Sequence, residues 1–386
     1  MSRLTALAAA ALTAVVLASG AAARSGADPI LLGATISQTG LAAGTAAYVL
    51  QGYQRWVGDA NRSKGLLGRK IELRVYDDRS DAQTAATLYR KLITEDKVQL
   101  LAGPYASAVS QAVIPVVEEL RRVLVSQTAA TALFDGARYA VQGLTQGKRY
   151  LPAVADVAKE VGYRTIAIAA NDAPGTLEIC DGVRGRAQAL GLSIAHDTTY
   201  ARTTTTFSGV VSGIAGARAD VVVGCAFLAD SLALTRELEQ RGVKPKLLAF
   251  SIGPTDPVFG TALSMLADRI VGSTTWWASL KTKGNAAFIA SFTKTFDRAP
   301  VYHSAAAYAS LQVLAAAVRR AGSLDQDAIR RELGRLQLDT VAGRFRLDAQ
   351  GRQLGFGSYL MQWQAGKQVL VWPRSLAEAP LMLPRG

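Results

Sequence analysis

The chain has 386 residues, too many for one core and enough for two lobes. It carries 43 Lys and Arg against 30 Asp and Glu, a formal net charge of +13, yet its cations are scattered. The densest groups are pairs such as Arg121-Arg122, Arg319-Arg320 and Arg330-Arg331, so a solvated basic surface is expected and no nucleic-acid partner. With two His and two Cys there is too little for a metal or redox site, and no cofactor is expected.

The first residues read as a secretory leader. Arg3 supplies the positive start, Leu4 to Leu17 is an apolar run, and Ser19-Gly20-Ala21-Ala22-Ala23 offers small residues for cleavage. A bilayer span needs about 20 apolar residues, so the run is too short to be one. Residues 1–23 are taken as a signal peptide cut after Ala23, with Ala21 as the second choice. No Cys lies near the cut to carry a lipid. An exported mature protein that does not span the membrane follows as the expectation.

From Ile30 strands and helices alternate. Ile30–Ile36 is an apolar strand, and Val49, Leu50, Tyr53, Trp56, Val57 and Ala60 form a helical stripe. Ile71, Leu73 and Val75 alternate with polar neighbours as a strand, after which Asp81 caps a helix carrying Ala85, Leu88, Tyr89 and Leu92. Strand Val98–Ala102 opens into Gly103-Pro104-Tyr105-Ala106-Ser107 and a helix. Strand Val123–Val125 opens into Ser126-Gln127-Thr128-Ala129-Ala130-Thr131. Loops of small and hydroxyl residues at strand ends suit an anion held by backbone N–H and O–H groups. Neither loop supplies a base or a nucleophile.

A second series follows: helix 149–161, strand 164–170, helix 176–190, strand 192–199, helix 207–217, strand 220–225, helix 229–241 and strand 246–250. The predicted fold class is therefore α/β, with two doubly wound parallel-sheet lobes. Cys180 falls in the first turns of one of these helices and Cys225 at a strand end, so a disulfide is permitted but not dictated. The tail turns to helices at 284–297, 302–321 and 325–336, then to a β-rich region over Thr340–Leu347, Ser358–Gln364 and Gln368–Val371.

No enzyme signature stands out. Asp77 and Asp78 are adjacent on a strand and face opposite ways, and Asp81 is a cap. G-x-S-x-G, H-E-x-x-H and G-x-G-x-x-G are absent. Gly143-Leu-Thr-Gln-Gly147-Lys148 is one residue short of a phosphate loop.

Five segments, in this order, resemble the bacterial periplasmic solute-binding proteins of ABC importers, of the leucine/isoleucine/valine-binding type. They are GLLGRKIELRVYDDRSD (65–81), LITEDKVQLLAGPYASAV (92–109), AATALFDGARY (129–139), VYHSAAAYASLQVLAAAV (301–318) and GRFRLDAQGRQLGFGSYLMQW (343–363). The resemblance implies a type I fold whose lobes are joined by three crossings. Lobe one would hold 28–147 plus 275–336, and lobe two 148–274 plus 337–375. It also implies a monomer that closes on a small-molecule ligand by hinge motion and docks on an ABC permease in the inner membrane.

The family's carboxylate-binding hydroxyl falls on Ser107, and its next-loop contacts fall on Ala129 and Thr131. In the second lobe the family's tyrosine position reads Pro174, before Gly175, and an aromatic is kept as Phe227. Ser251 stands in the loop where an acidic partner for a ligand ammonium is wanted, with Asp230 and Asp256 nearby but off the pattern. Thr45 replaces an aromatic, Tyr105 could stack on ligand, and Trp277 is the better of two adjacent tryptophans to face the cleft. These departures keep two ligand classes open: an amino acid, or an aromatic acid, amide or urea. A ligand sensor for a signalling partner is the alternative role.

Overall fold

The computed structural model describes residues 28–383, so the expected leader at 1–23 lies outside the described residues. The first half builds β1 (Ile30–Ile36), α1 (Ala43–Arg62), β2 (Ile71–Asp77), α2 (Ala82–Thr94), β3 (Leu100–Tyr105), α3 (Ser107–Glu119), β4 (Leu124–Gln127) and β5 (Ala140–Gln142). These strands form a parallel sheet of order β2-β1-β3-β4-β5. β3 and β4 are buried along their whole length, which is why they read as continuous apolar runs rather than alternating ones.

The chain then lays down α4 (Ala153–Glu160), β6 (Thr165–Asn171), α5 (Pro174–Ala189), β7 (Ser193–Tyr200), α6 (Ser208–Ala217), β8 (Val221–Cys225), α7 (Leu228–Gln240), β9 (Leu247–Phe250), α8 (Pro257–Leu263) and β10 (Val271–Thr274). Three helices follow, α9 (Asn285–Phe296), α10 (Tyr302–Ala321) and α11 (Gln326–Arg335), and then β11 (Leu338–Thr340), β12 (Gly343–Phe345), β13 (Tyr359–Gln364) and β14 (Lys367–Trp372). The second sheet runs β14-β13-β10-β9-β8-β6-β7, antiparallel only at β10-β13 and β13-β14. The alternation of strand and helix thus delivers the doubly wound architecture read from the sequence.

α10 packs along α1 and reaches the back of β4. Gly52 makes that approach feasible, because a Cβ there would collide with the Ser304 carbonyl of α10. Two local readings differ. The β region read as starting at Thr340 starts at Leu338 instead, where β11 and β12 pair antiparallel across a turn at Val341-Ala342, with Gly343 at φ +114° opening β12. α8 was hidden by Gly and Pro around it, although Asp256 caps it by accepting from the Val258 N–H at 2.9 Å. Cys180 on α5 and Cys225 at the end of β8 form a disulfide with Cα atoms 5.9 Å apart.

Strand order reverses between β1 and β3 in the first sheet and between β6 and β8 in the second. A crevice at the carboxyl ends of the strands beside such a reversal is where an α/β sheet offers a ligand site. The two reversals face each other.

Candidate functional site: a cleft between the two sheets

A cavity of about 490 Å³ lies there, lined from one side by the exits of β3 and β4 and from the other by the exits of β6 and β8. Six helices begin at its wall: α1 at Ala42–Thr45, α2 at Ala82, α3 at Ala106–Val109, α5 at Ala173–Thr176, α7 at Leu228–Asp230 and α10 at Tyr302–His303. Each helix start presents unpaired N–H groups and the positive end of the peptide dipoles, so their convergence favours an anionic group. The rest of the wall is mainly apolar, with Leu41, Leu144, Ile179, Leu232 and Ile252.

The anion end is built around Ser107. Its Oγ accepts from Thr128 Oγ1 and, at 3.3 Å, from the Ala130 N–H, which leaves the Ser107 proton to be donated into the cavity. Ser107 is the first residue of α3 and makes no capping bond; the cap position is Ala106, with φ +73° and ψ 143°. An alanine held there costs on the order of 1–3 kcal/mol, and the strained turn aims the α3 N–H groups at the cavity. Gln127, buried at the end of β4, also lines the wall, and its Nε2 has no hydrogen-bond partner among the described residues. It is a donor waiting for an acceptor.

Across the cavity stands Asp230, which is 9% exposed. Its Oδ2 accepts from Asn171 Nδ2 at 2.8 Å and from the Tyr200 hydroxyl at 3.3 Å. No cation pairs with it among the described residues: Arg202 reaches the cavity but its Nε is committed to Asp172 Oδ1 at 2.9 Å. Burial therefore raises the Asp230 pKa above the ordinary value, against the lowering by its two side-chain donors. His303 is wholly enclosed and burial drives its pKa down to about 3, so it is neutral, with its Nε2 3.4 Å from the Tyr105 hydroxyl.

A carboxyl with a raised folded-state pKa holds its proton more tightly folded than unfolded. The contribution of Asp230 to stability is therefore expected to be lost as pH climbs from the ordinary 3.8 through the raised value, against the opposite contribution of His303, whose lowered pKa adds stability as pH rises toward 6.5, so the Asp230 effect is read as the difference between variant and parent. Asp256 is shifted the same way by its own burial, so Asp230→Asn should remove only part of this slope. Thermal melts across about pH 4–7 test it; superimposable profiles for Asp230→Asn and the parent chain would refute it.

Of the residues singled out in the sequence, Thr45, Tyr105, Ser107, Ala129 and Phe227 line the cavity. Four do not. Thr131 is turned to Glu178 of α5, which accepts its N–H at 2.5 Å and its hydroxyl. Pro174 opens α5 and leaves the wall to its neighbours Ala173 and Gly175. Ser251 is fully buried, its Oγ accepting from the Ala226 N–H at 3.0 Å and donating to the Ala226 carbonyl. Trp277 packs half-buried against the second-sheet core, while Trp276 is buried with its Nε1 on Asn285. Of the two carboxylates, Asp256 is used as the α8 cap and accepts from Tyr48, leaving Asp230 as the acid of the cleft.

Relatives agree with this architecture. The Leu/Ile/Val-binding protein homolog 7 of Brucella suis is 24% identical over 362 residues, spanning 87% of this chain and 89% of its own. BraC3 of Rhizobium johnstonii, a Leu/Ile/Val-binding protein, is 24% identical over 93% of this chain and 98% of its own. Among solved structures, the leucine-binding protein LivK of Thermotoga maritima superposes with a TM-score of 0.81 at 19% identity, over 88% of this chain and 97% of its own. LivJ of Streptococcus pneumoniae, solved with isoleucine, gives 0.80 at 19% identity over 92% and 100%. An R. palustris ABC-transporter solute-binding protein, solved with benzoate, gives 0.80 at 20% over 92% and 97%. The family described as periplasmic binding protein matches residues 29–368, and the chain belongs to it.

Proposed function

We propose that this protein is the extracytoplasmic, substrate-binding component of an ABC importer. It captures a small carboxylate-bearing solute in the cleft and presents it to a membrane permease. The observation that carries this reading is the convergence of six helix starts, the Ser107 hydroxyl and the unpaired Gln127 amide on one largely apolar cavity. Such a wall holds and orients an anion with an apolar body. Among the described residues no helix is long and apolar enough to cross a membrane.

Within that class, Asp230 favours an amino acid. A buried carboxylate without a cation gains most from a ligand that brings an ammonium. The second reading is an aromatic acid without an amino group, favoured by the burial that raises the Asp230 pKa and so lessens its demand for a cation. The benzoate held by the R. palustris protein makes that class concrete.

A thermal-shift panel of amino acids, their des-amino acids, benzoates, amides and urea decides between them. A ligand at about 100 times its dissociation constant adds about 2.7 kcal/mol of apparent stability. Ser107→Ala should then weaken the responding acid by about 10- to 100-fold, the loss of one hydrogen bond to a charged group. Response only to uncharged amides or urea, or full affinity in Ser107→Ala, would remove the carboxylate reading.

A further inference from the structure

A second concave site lies at the opposite end of the first sheet. Arg138 precedes β5 and Arg121 precedes β4, so both stand at the amino ends of strands whose carboxyl ends face the cleft. There Arg138, Arg330, Arg331 and Arg335 surround a concavity of about 370 Å³ together with Asp327 and Gly334. Four guanidinium groups thus meet one carboxylate.

That carboxylate is already engaged. Asp327 accepts from Arg121 at 2.7 Å, from Arg138 at 3.3 Å and from the Tyr139 hydroxyl at 2.7 Å. The nearby Glu118 carboxylate is taken by the backbone N–H groups of Arg138, Tyr139 and Ala140 at 2.7–2.9 Å. Arg330, Arg331 and Arg335 form no ion pair among the described residues. Arg330 is half-buried, donates through Nε to the Arg138 carbonyl, and is pushed below the usual arginine range by burial.

The helix gives up stability to present this set. Arg331 and Arg335 are a like-charge i,i+4 pair, which an isolated helix disfavours. Gly334 sits inside α11 without a positive φ to require it, and a Cβ there would come within 3.2 Å of Arg330 Nη1. The glycine keeps room for the guanidinium at the floor of the concavity.

We propose that this arginine pocket binds a phosphate-type oxyanion, either a free phosphate or the phosphoryl group of an anionic lipid headgroup. Planar guanidinium forks match the oxygen edges of such a group, and three unpaired cations select a multiply charged anion over a lone carboxylate. The site is separate from the cleft and does not depend on what the cleft holds.

The test titrates the folded protein with inorganic phosphate against chloride at matched ionic strength, and in parallel sediments it with phosphatidylglycerol or phosphatidylcholine vesicles. Arg331 and Arg335 are exposed, so Arg331→Gln with Arg335→Gln leaves the fold intact; Arg330→Gln is the second variant. Phosphate binding that weakens at least tenfold in either variant is the expected result and identifies a soluble oxyanion. Sedimentation with phosphatidylglycerol alone, lost in the variants, identifies the lipid source. Cleft binding of the acid found by thermal shift should be unchanged in both. Absence of phosphate and vesicle binding, or binding equal in parent and variants, overturns the site.

Discussion

Gly175→Val is expected to weaken ligand capture by more than about 100-fold while leaving the melting temperature of the unliganded protein nearly unchanged. Gly175 is the second residue of α5 and has no positive φ, so its backbone accepts a side chain without strain. Space forbids one. A Cβ at this position would stand 2.6 Å from Ser107 Oγ and 3.8 Å from the Ala129 Cβ, across the cleft. A valine must therefore either turn the Ser107 hydroxyl away or hold the two sheets apart. Either loses the bond worth about 1.5–3 kcal/mol to a charged ligand, and the second also lets water into the cleft. Calorimetric titration with the acid found by thermal shift measures it, with Gly175→Ala expected to fall between. Parent-like affinity in the valine variant would mean that α5 and Ser107 do not meet when ligand is bound.

The same helix explains why Thr131 is not a cavity residue. Gly175 and Glu178 are three apart on α5 and share one face, which meets the exit of β4. Glu178 takes both Thr131 donors, a contact between the two sheets' halves of the molecule that needs no ligand. A second contact joins the Tyr48 hydroxyl to Asp256 Oδ1 at 3.3 Å, with the Arg298 guanidinium 4.4 Å from the Tyr48 ring centre. Burial, then the Asp256 charge, pushes the Tyr48 pKa up to about 12, so this bond persists across the physiological range.

The architecture was legible because strands buried on both faces write uninterrupted apolar runs and amphipathic helices write a 3.6-residue stripe. The strand-exit rule then pointed to the loops that hold Tyr105, Ser107 and Ala129, and the family resemblance named Ser107, Ala129 and Phe227 within the cleft wall. It could not place what depends on side-chain direction. Ser251 follows β9, one strand further from the reversal than β8, so its hydroxyl meets the neighbouring Ala226 backbone instead of a ligand. Trp276 and Trp277 follow β10, further still, and each finds core to pack against. Asp230 sat off the expected pattern in the sequence because it reaches the cavity from the first turn of α7 rather than from a strand end. Gln127 was in plain view at the end of β4, but only the structure shows its Nε2 buried without a partner at the cavity wall.

Loss of the Cys180–Cys225 bond is expected to cost the protein about 4 kcal/mol, as the chain-entropy account gives for a closed loop of this size. The sequence separation is 45, and both residues are fully buried. The crosslink fastens α5 to the end of β8, and Ile179 beside Cys180 and Phe227 two residues after Cys225 line the cleft. Reduction and substitution separate crosslink from packing. Reduced parent protein keeps both sulfur atoms in place and loses only the constraint, whereas Cys180→Ala with Cys225→Ala loses both. The reduced protein should melt on the order of 10 °C lower, and the double alanine variant lower still by the cavity it opens. Ligand affinity should fall as well, because a less tightly anchored α5 carries Gly175, Thr176 and Ile179. An unchanged melting temperature after complete reduction, verified by thiol titration, would show that β8 and α5 are held by their apolar contacts alone.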